Sequence, residues 1–269
     1  MTALIQYIYV TQEAAASNEP DALVWGNVDI VNACLENYFA EDELCHPALL
    51  SYFVDYFLVQ MENGGFAQFV YNTGNNAAIQ AYVSAGLQAM QATQHLALFE
   101  QAAEVVQALS EQDLHRYLEG EALGDAAQQQ VLEQFDEVFS VLNATTELRH
   151  VNNAWLKAHP QLKAVTLEEL QTALQAAQQQ IPNLAERQQQ AMDNAPEYVK
   201  TIQRLCEAHG MALEEITAGD PEFMFEGEEH LAWFFITDKG IFSMVEIAEP
   251  SYRAVLLDEE GQVVLELSE

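Results

Sequence analysis

Lysine and arginine are scarce in this chain: nine in 269 residues, against 42 aspartates and glutamates, for a net charge of −33. None of the nine falls within the first 115 residues, a stretch that holds 14 acids. A surface without cations cannot follow a phosphate backbone, so direct nucleic-acid binding is excluded, and so is attachment to anionic lipid. Cysteine is also short. Cys34, Cys45 and Cys206 are odd in number and lack CxxC spacing, which argues against a disulfide framework or zinc ribbon and for a reducing compartment. No apolar run approaches the ~20 residues of a membrane span, and the first ten residues lack the basic segment of a secretory leader. A cytoplasmic location is the expectation. HExxH, GxSxG, Walker and dinucleotide-binding motifs are missing as well. Gly120 and Gly124 have no following lysine that would cradle a phosphate. The expectation is therefore a protein with no catalytic residues and no cofactor.

The charged fraction, 19%, lies below the ~25% of ordinary globular proteins, so cations have been removed more than acids added. Glutamine takes their place in the runs Gln128 to Gln130, Gln178 to Gln180 and Gln188 to Gln190. A salt-adapted surface gains carboxylates instead, which argues against halophilic adaptation. Apolar residues make up 50%, enough for a substantial core. The summed field is strongly negative and attracts basic partners, at rates that fall with ionic strength.

From Asp21 to about Ala158 the periodicity is helical. Val24, Val28, Val31, Leu35 and Tyr38 share one face, and Leu50, Phe53, Val54, Phe57, Leu58 and Met61 form a wider stripe suited to the centre of a bundle. That helix is expected to stop at Asn63-Gly64-Gly65, a structural turn whose glycines take positive φ. A short helix with Phe66, Phe69 and Val70 follows, then a second break at Asn72 to Asn76. Further helices are expected near 77–90, 94–109, 111–118, 126–142 and 147–157, closing at His159-Pro160. Ser110 and Asp113, and Thr166 and Glu169, are spaced as capping boxes. A helix near 197–209 precedes strand-like runs at 231–237, 241–247, 252–257 and 263–267, joined by short turns. The reading is mainly α: a multi-helix domain over 1–165, a Gln-rich helical connector over 166–194, and a small α+β unit with an antiparallel β-meander over 195–269.

The run from Val59 to Asn72, with Asn63-Gly64-Gly65-Phe66 at its centre, precedes a helix carrying Ala85-Gly86-Leu87. It resembles the bacterial DNA-mimic protein family. Phe135-Asp136-Glu137-Val138-Phe139, followed by Trp155-Leu156 and His159-Pro160, is similar to the closing helices of the same domain. Together these stretches cover roughly residues 20 to 165. The resemblance implies a helical domain presenting a DNA-like acidic surface, but no motif marks the binding carboxylates.

Those carboxylates are therefore chosen by position. Asp29 and Glu36 lie on one helix face, ~10 Å apart along the axis, and Glu100 and Glu104 are ~6 Å apart at 1.5 Å per residue. Glu41, Asp42 and Glu43 fall between two helices, where a loop would project them. These seven are the candidate partner-binding residues. The ordinary alternative for each is a solvated helix face or a first-turn acid favoured by the helix dipole. Collectively they favour a mimic that occupies the DNA-binding surface of a basic transcription factor or nucleoid protein; a homodimer is compatible with this. Two alternatives stay open: an immunity-type inhibitor of a toxic nuclease, and a metal-dependent or Cys/His enzyme using Cys45-His46. No metal site is expected, because the histidines share no period and the acidic cluster from Glu214 to Glu229 lacks EF-hand spacing. That cluster reads as a second anionic patch.

Overall fold

The computed structural model describes residues 3–248 and 252–268. It is mainly α with a small β unit, and divides into two compact units, Met1–Leu184 and Ala185–Glu269.

The first unit comprises β1 (Ile8–Thr11), α1 (Gln12–Ala16), α2 (Ala22–Glu36), a 3-10 helix (Glu41–Glu43), α3 (His46–Thr73), α4 (Ala77–Ala89), α5 (Thr93–Gln107), α6 (Glu111–Leu118), α7 (Ala126–Thr145), α8 (Leu148–Ala158), β2 (Leu162–Val165) and α9 (Leu167–Gln178). Helix α3 is central, as its wide apolar stripe demands: Leu50, Phe53, Val54, Phe57, Leu58 and Met61 are all buried. Phe57 and Phe66 anchor an aromatic core. Phe57 meets Phe99 at 5.1 Å and Phe139 at 5.6 Å, and Phe66 meets Phe135 at 5.3 Å, all edge-to-face. That geometry sets the positive ring edge against the negative face.

Strands β1 and β2 were not expected from periodicity. They pair in parallel, Ile8 with Leu162 through Thr11 with Val165, and close the first unit on itself. Four residues are too few for a periodic signal, and the two partners come from opposite ends of the unit. The stripe expected on the first helix is also shorter than read. Val24 and Val31 are buried, but the helix stops at Glu36, and Tyr38 lies beyond it at φ 69°.

The Asn63-Gly64-Gly65 block is a kink rather than a helix end. The helix resumes beyond Gly64 (φ −161°, ψ 20°) and Gly65 (φ 73°, ψ −166°), so only Gly65 has positive φ. The second break falls where the glycine and asparagines place it: Gly74 caps α3 in the left-handed region, and the Asn76 side chain caps α4. The Thr166–Glu169 box is complete, with Glu169 N–H donating to Thr166 Oγ1 at 3.2 Å and Thr166 N–H donating to Glu169 Oε2 at 2.9 Å. Within the Gln-rich stretch, α9 packs Leu170 and Ala177 into the first unit's core. Helix α10 (Leu184–Asn194) buries none of its side chains.

In the second unit α11 (Glu197–His209) buries Ile202, Leu205 and Cys206 with Phe235, Met244 and Leu256 of the sheet. The sheet is an antiparallel meander in the order β3 (Leu213–Phe225), β4 (Glu228–Thr237), β5 (Gly240–Ile247), β6 (Arg253–Leu257) and β7 (Val263–Ser268). Four of these strands match the sequence reading. The fifth, β3, runs through the acidic cluster, because register shifts around Glu215, Ala218 and Phe223 let an irregular edge strand continue where alternation is lost. Its acids Glu214, Glu215, Asp220 and Glu222 therefore sit on a sheet edge, where charge discourages pairing with another chain.

Candidate functional site: an anionic surface on the helical unit

The seven sequence-selected carboxylates do not form one patch. Glu36 ends α2, and the chain turns through Tyr38 and the buried Phe39 into the 3-10 helix, bringing Glu41 and Asp42 to the same neighbourhood. Two phenols report that convergence. Tyr52 of α3, whose hydroxyl donates to Asn32 Oδ1 at 2.9 Å, is pushed up by burial, then by Tyr56, Glu41 and Glu36. Tyr82 of α4 is pushed up by burial, then by the charge of Glu41, to which its hydroxyl donates, and by Asp42. The ring of Tyr82 stacks on Phe53 at 4.8 Å, which ties this acidic corner to the core.

Glu43 also has a task inside the fold. Its Oε2 accepts from the Ala40 N–H at 2.7 Å and closes the 3-10 helix, so it shapes the corner. Asp29 stands on the outer face of α2, in a cleft with Glu13 and Glu19. Glu100 and Glu104 line a separate groove of about 460 Å³ between α4 and α5, with Gln80 and Ser84 opposite. Among the described residues, none of Asp29, Glu36, Glu41, Asp42, Glu100 and Glu104 is in an ion pair.

Three cations of this unit, Arg116, Arg149 and Lys163, are engaged elsewhere. Arg149, 16% exposed, reaches from α8 to Asp55 at 2.9 Å and Glu62 at 3.5 Å on α3. Arg116 pairs with Asp113 and, at 3.7 Å, with Glu121. Lys163 lies over the rings of Tyr7 and Tyr9, at 5.0 and 5.7 Å. The Asp55–Arg149 pair escaped the sequence reading, although a lone acid between Val54 and Tyr56 in an apolar stripe calls for a buried partner.

The kink supplies a second case of an acid used inside the fold. Breaking the helix at Gly64-Gly65 frees the Phe66 N–H, which donates to Asp136 Oδ1 of α7 at 2.9 Å. Burial pushes the Asp136 carboxyl above its usual range, against the lowering effect of that bond. The two stretches that carried the family resemblance thus meet in space.

Cys45 and His46 diverge. Cys45 is buried and its thiol is pushed up by burial, so it stays protonated at neutral pH and makes a poor nucleophile. His46 is exposed, with its ring 5.7 Å from that of Tyr82. His150 lies between Glu147 (3.2 Å) and Asp21 (3.7 Å), and these three are the group among the described residues whose donor atoms come within 4.8 Å of one another. The imidazole, when charged, already bridges both carboxylates. No helix is long and apolar enough to cross a membrane among the described residues.

Residues 42–159 match the model of the DMP19-like protein family. That is a DNA-mimic family. The matched stretch runs from Asp42 to His159, α3 through α8, and contains both the Gly64-Gly65 kink and Asp136. It is narrower than the residues 20 to 165 that the resemblance covered, and leaves Asp29, Glu36 and Glu41 outside. No curated protein and no solved structure matches the chain.

Proposed function

We propose that the helical unit acts as a DNA mimic, presenting helix-mounted carboxylates to the DNA-binding face of a basic protein and competing with DNA by mass action. The supporting observation is the gathering of Glu36, Glu41 and Asp42 at one corner, in no ion pair among the described residues, while Arg116 and Arg149 are bound to other acids. A basic surface that binds B-DNA is built to meet about one negative charge per ~1.7 Å of axis. Acids at four-residue helix spacing, ~6 Å apart, are sparser, so affinity comes from several such sites together. Such a mimic needs no catalytic residue, cofactor or metal. Its partner is a transcription factor or nucleoid protein.

The test is capture of partners on the full-length chain, followed by gel-shift competition with each purified partner and its DNA. The expected result is displacement of DNA, with affinity falling more than tenfold between about 50 and 200 mM salt. The triple change Glu36→Gln, Glu41→Gln and Asp42→Asn should weaken displacement, and Glu41→Lys with Asp42→Lys should weaken it further. A partner that keeps its DNA, or binds equally at high salt, contradicts the reading. A captured nuclease blocked at its catalytic cleft would instead support inhibition of the immunity type.

A further inference from the structure

The cleft that holds Asp29 carries more than charge. Trp25 of α2 is 50% exposed and Leu167 of α9 is 61% exposed, and both line this cleft of about 540 Å³. Its floor includes the buried side chains of Ile30 and Leu170. Ala33 also lines a second cavity, of about 300 Å³, reached farther along α9 at Leu174. The two adjoin at Ala33, and the far one is lined by Gln178, whose amide donates to the Asn37 carbonyl at 3.3 Å. The α9 side of this groove, from Leu167 to Gln178, spans ~16 Å, about three helical turns. The acids Glu13, Glu19 and Asp29 line it, and no lysine or arginine does.

We infer that this groove docks a basic amphipathic helix of a partner protein, its apolar side chains between Trp25 and Leu167 and its lysines or arginines against Glu13, Glu19 and Asp29. Helix-in-groove docking uses apolar anchors at three- and four-residue spacing, and an exposed tryptophan beside an aliphatic wall is a typical energetic centre. A second copy of this chain is a poor occupant, since a chain of net charge −33 would set acids against this acidic rim. The inference goes beyond competition with DNA, because it requires a basic apolar segment and not a DNA-binding face.

Titration calorimetry on the full-length chain tests it, using a peptide of about 14 leucines and lysines patterned as an amphipathic helix and a scrambled peptide of the same composition. The patterned peptide should bind about tenfold more tightly. Trp25→Gln and Leu167→Gln should each erase that preference while leaving the scrambled peptide's affinity unchanged, since neither alters charge. Circular dichroism checks the helices; if Trp25→Gln reduces them, Leu167→Gln alone decides. Equal binding of both peptides by the unaltered chain, or a preference retained in the folded variants, overturns the inference. Both variants keep every carboxylate, so displacement of DNA by them separates failure of the groove from failure of mimicry.

Discussion

At Gly65 the backbone takes φ 73° and ψ −166°, a region that essentially only glycine occupies, and an added Cβ would lie 2.0 Å from Asp136 Oδ2. Gly65→Ala should therefore cost about 2–4 kcal/mol, combining backbone strain with displacement of the carboxylate that holds the Phe66 N–H. Gly64 is different. Its φ of −161° suits any residue, and its Cβ would meet Gln68 alone, chiefly the Oε1 at the end of that flexible side chain, with its Cβ and Cδ at 3.1 Å. Gly64→Ala should change stability by about 1 kcal/mol or less, and urea denaturation of the two variants checks the contrast. Asp136 extends the argument. Asp136→Ala should lose about 1–3 kcal/mol by leaving a half-buried N–H unpaired. Asp136→Asn keeps an acceptor and removes a charge whose burial raises its carboxyl, so at neutral pH it should be neutral or stabilising.

Between elements, two buried polar contacts set the stability of the helical unit. Arg149 on α8 and Asp55 on α3 are 16% and 9% exposed, so Arg149→Gln leaves a largely desolvated carboxylate without its charge partner. The expected loss is about 3 kcal/mol, partly recovered when Asp55→Asn is added; thermal melts of the single and double variants measure it. His95 joins α5 to α7, buried against Phe139 at 5.7 Å, and burial lowers its imidazole below the ordinary value despite a hydrogen bond to Asn143. The unfolded chain therefore binds a proton that the folded chain resists. Stability from this group is complete above about pH 6.5 and is lost as pH falls from there through the folded value. His95→Gln should flatten the decline in melting temperature as pH falls below about 6.5.

For the whole molecule, a net charge of −33 makes salt act in opposite directions on folding and on binding. Self-repulsion destabilises the compact state, and screening within ~10 Å at 0.1 M relieves it. Raising salt from about 0.01 to 0.15 M should therefore raise the melting temperature while weakening capture of a basic partner. Calorimetric scans paired with binding titrations in the same buffers check both signs. A melting temperature that falls with added salt would mean that the paired acids, such as Asp55 and Asp113, outweigh the unpaired ones.

The sign of the field was legible in the sequence, because an absence of cations over 115 residues is independent of how the chain folds. So were the apolar stripe of α3, the Thr166–Glu169 cap and four of the five meander strands, since each is written in spacings of two to four residues. The role of each carboxylate was not. Glu43 closes a turn, Asp136 caps a kinked helix from another element, and Asp55 holds Arg149, whereas Glu36, Glu41 and Asp42 gather around Tyr52 and Tyr82. In the sequence these acids look alike. Packing between distant segments decides which are consumed as internal partners and which face outward, as it alone decides the pairing of β1 with β2. A carboxylate's task follows from the hydrogen-bond donor or cation the fold brings within reach; for Asp55 and Asp136 that group comes from a different part of the chain, whereas Glu43 meets the Ala40 N–H three residues away.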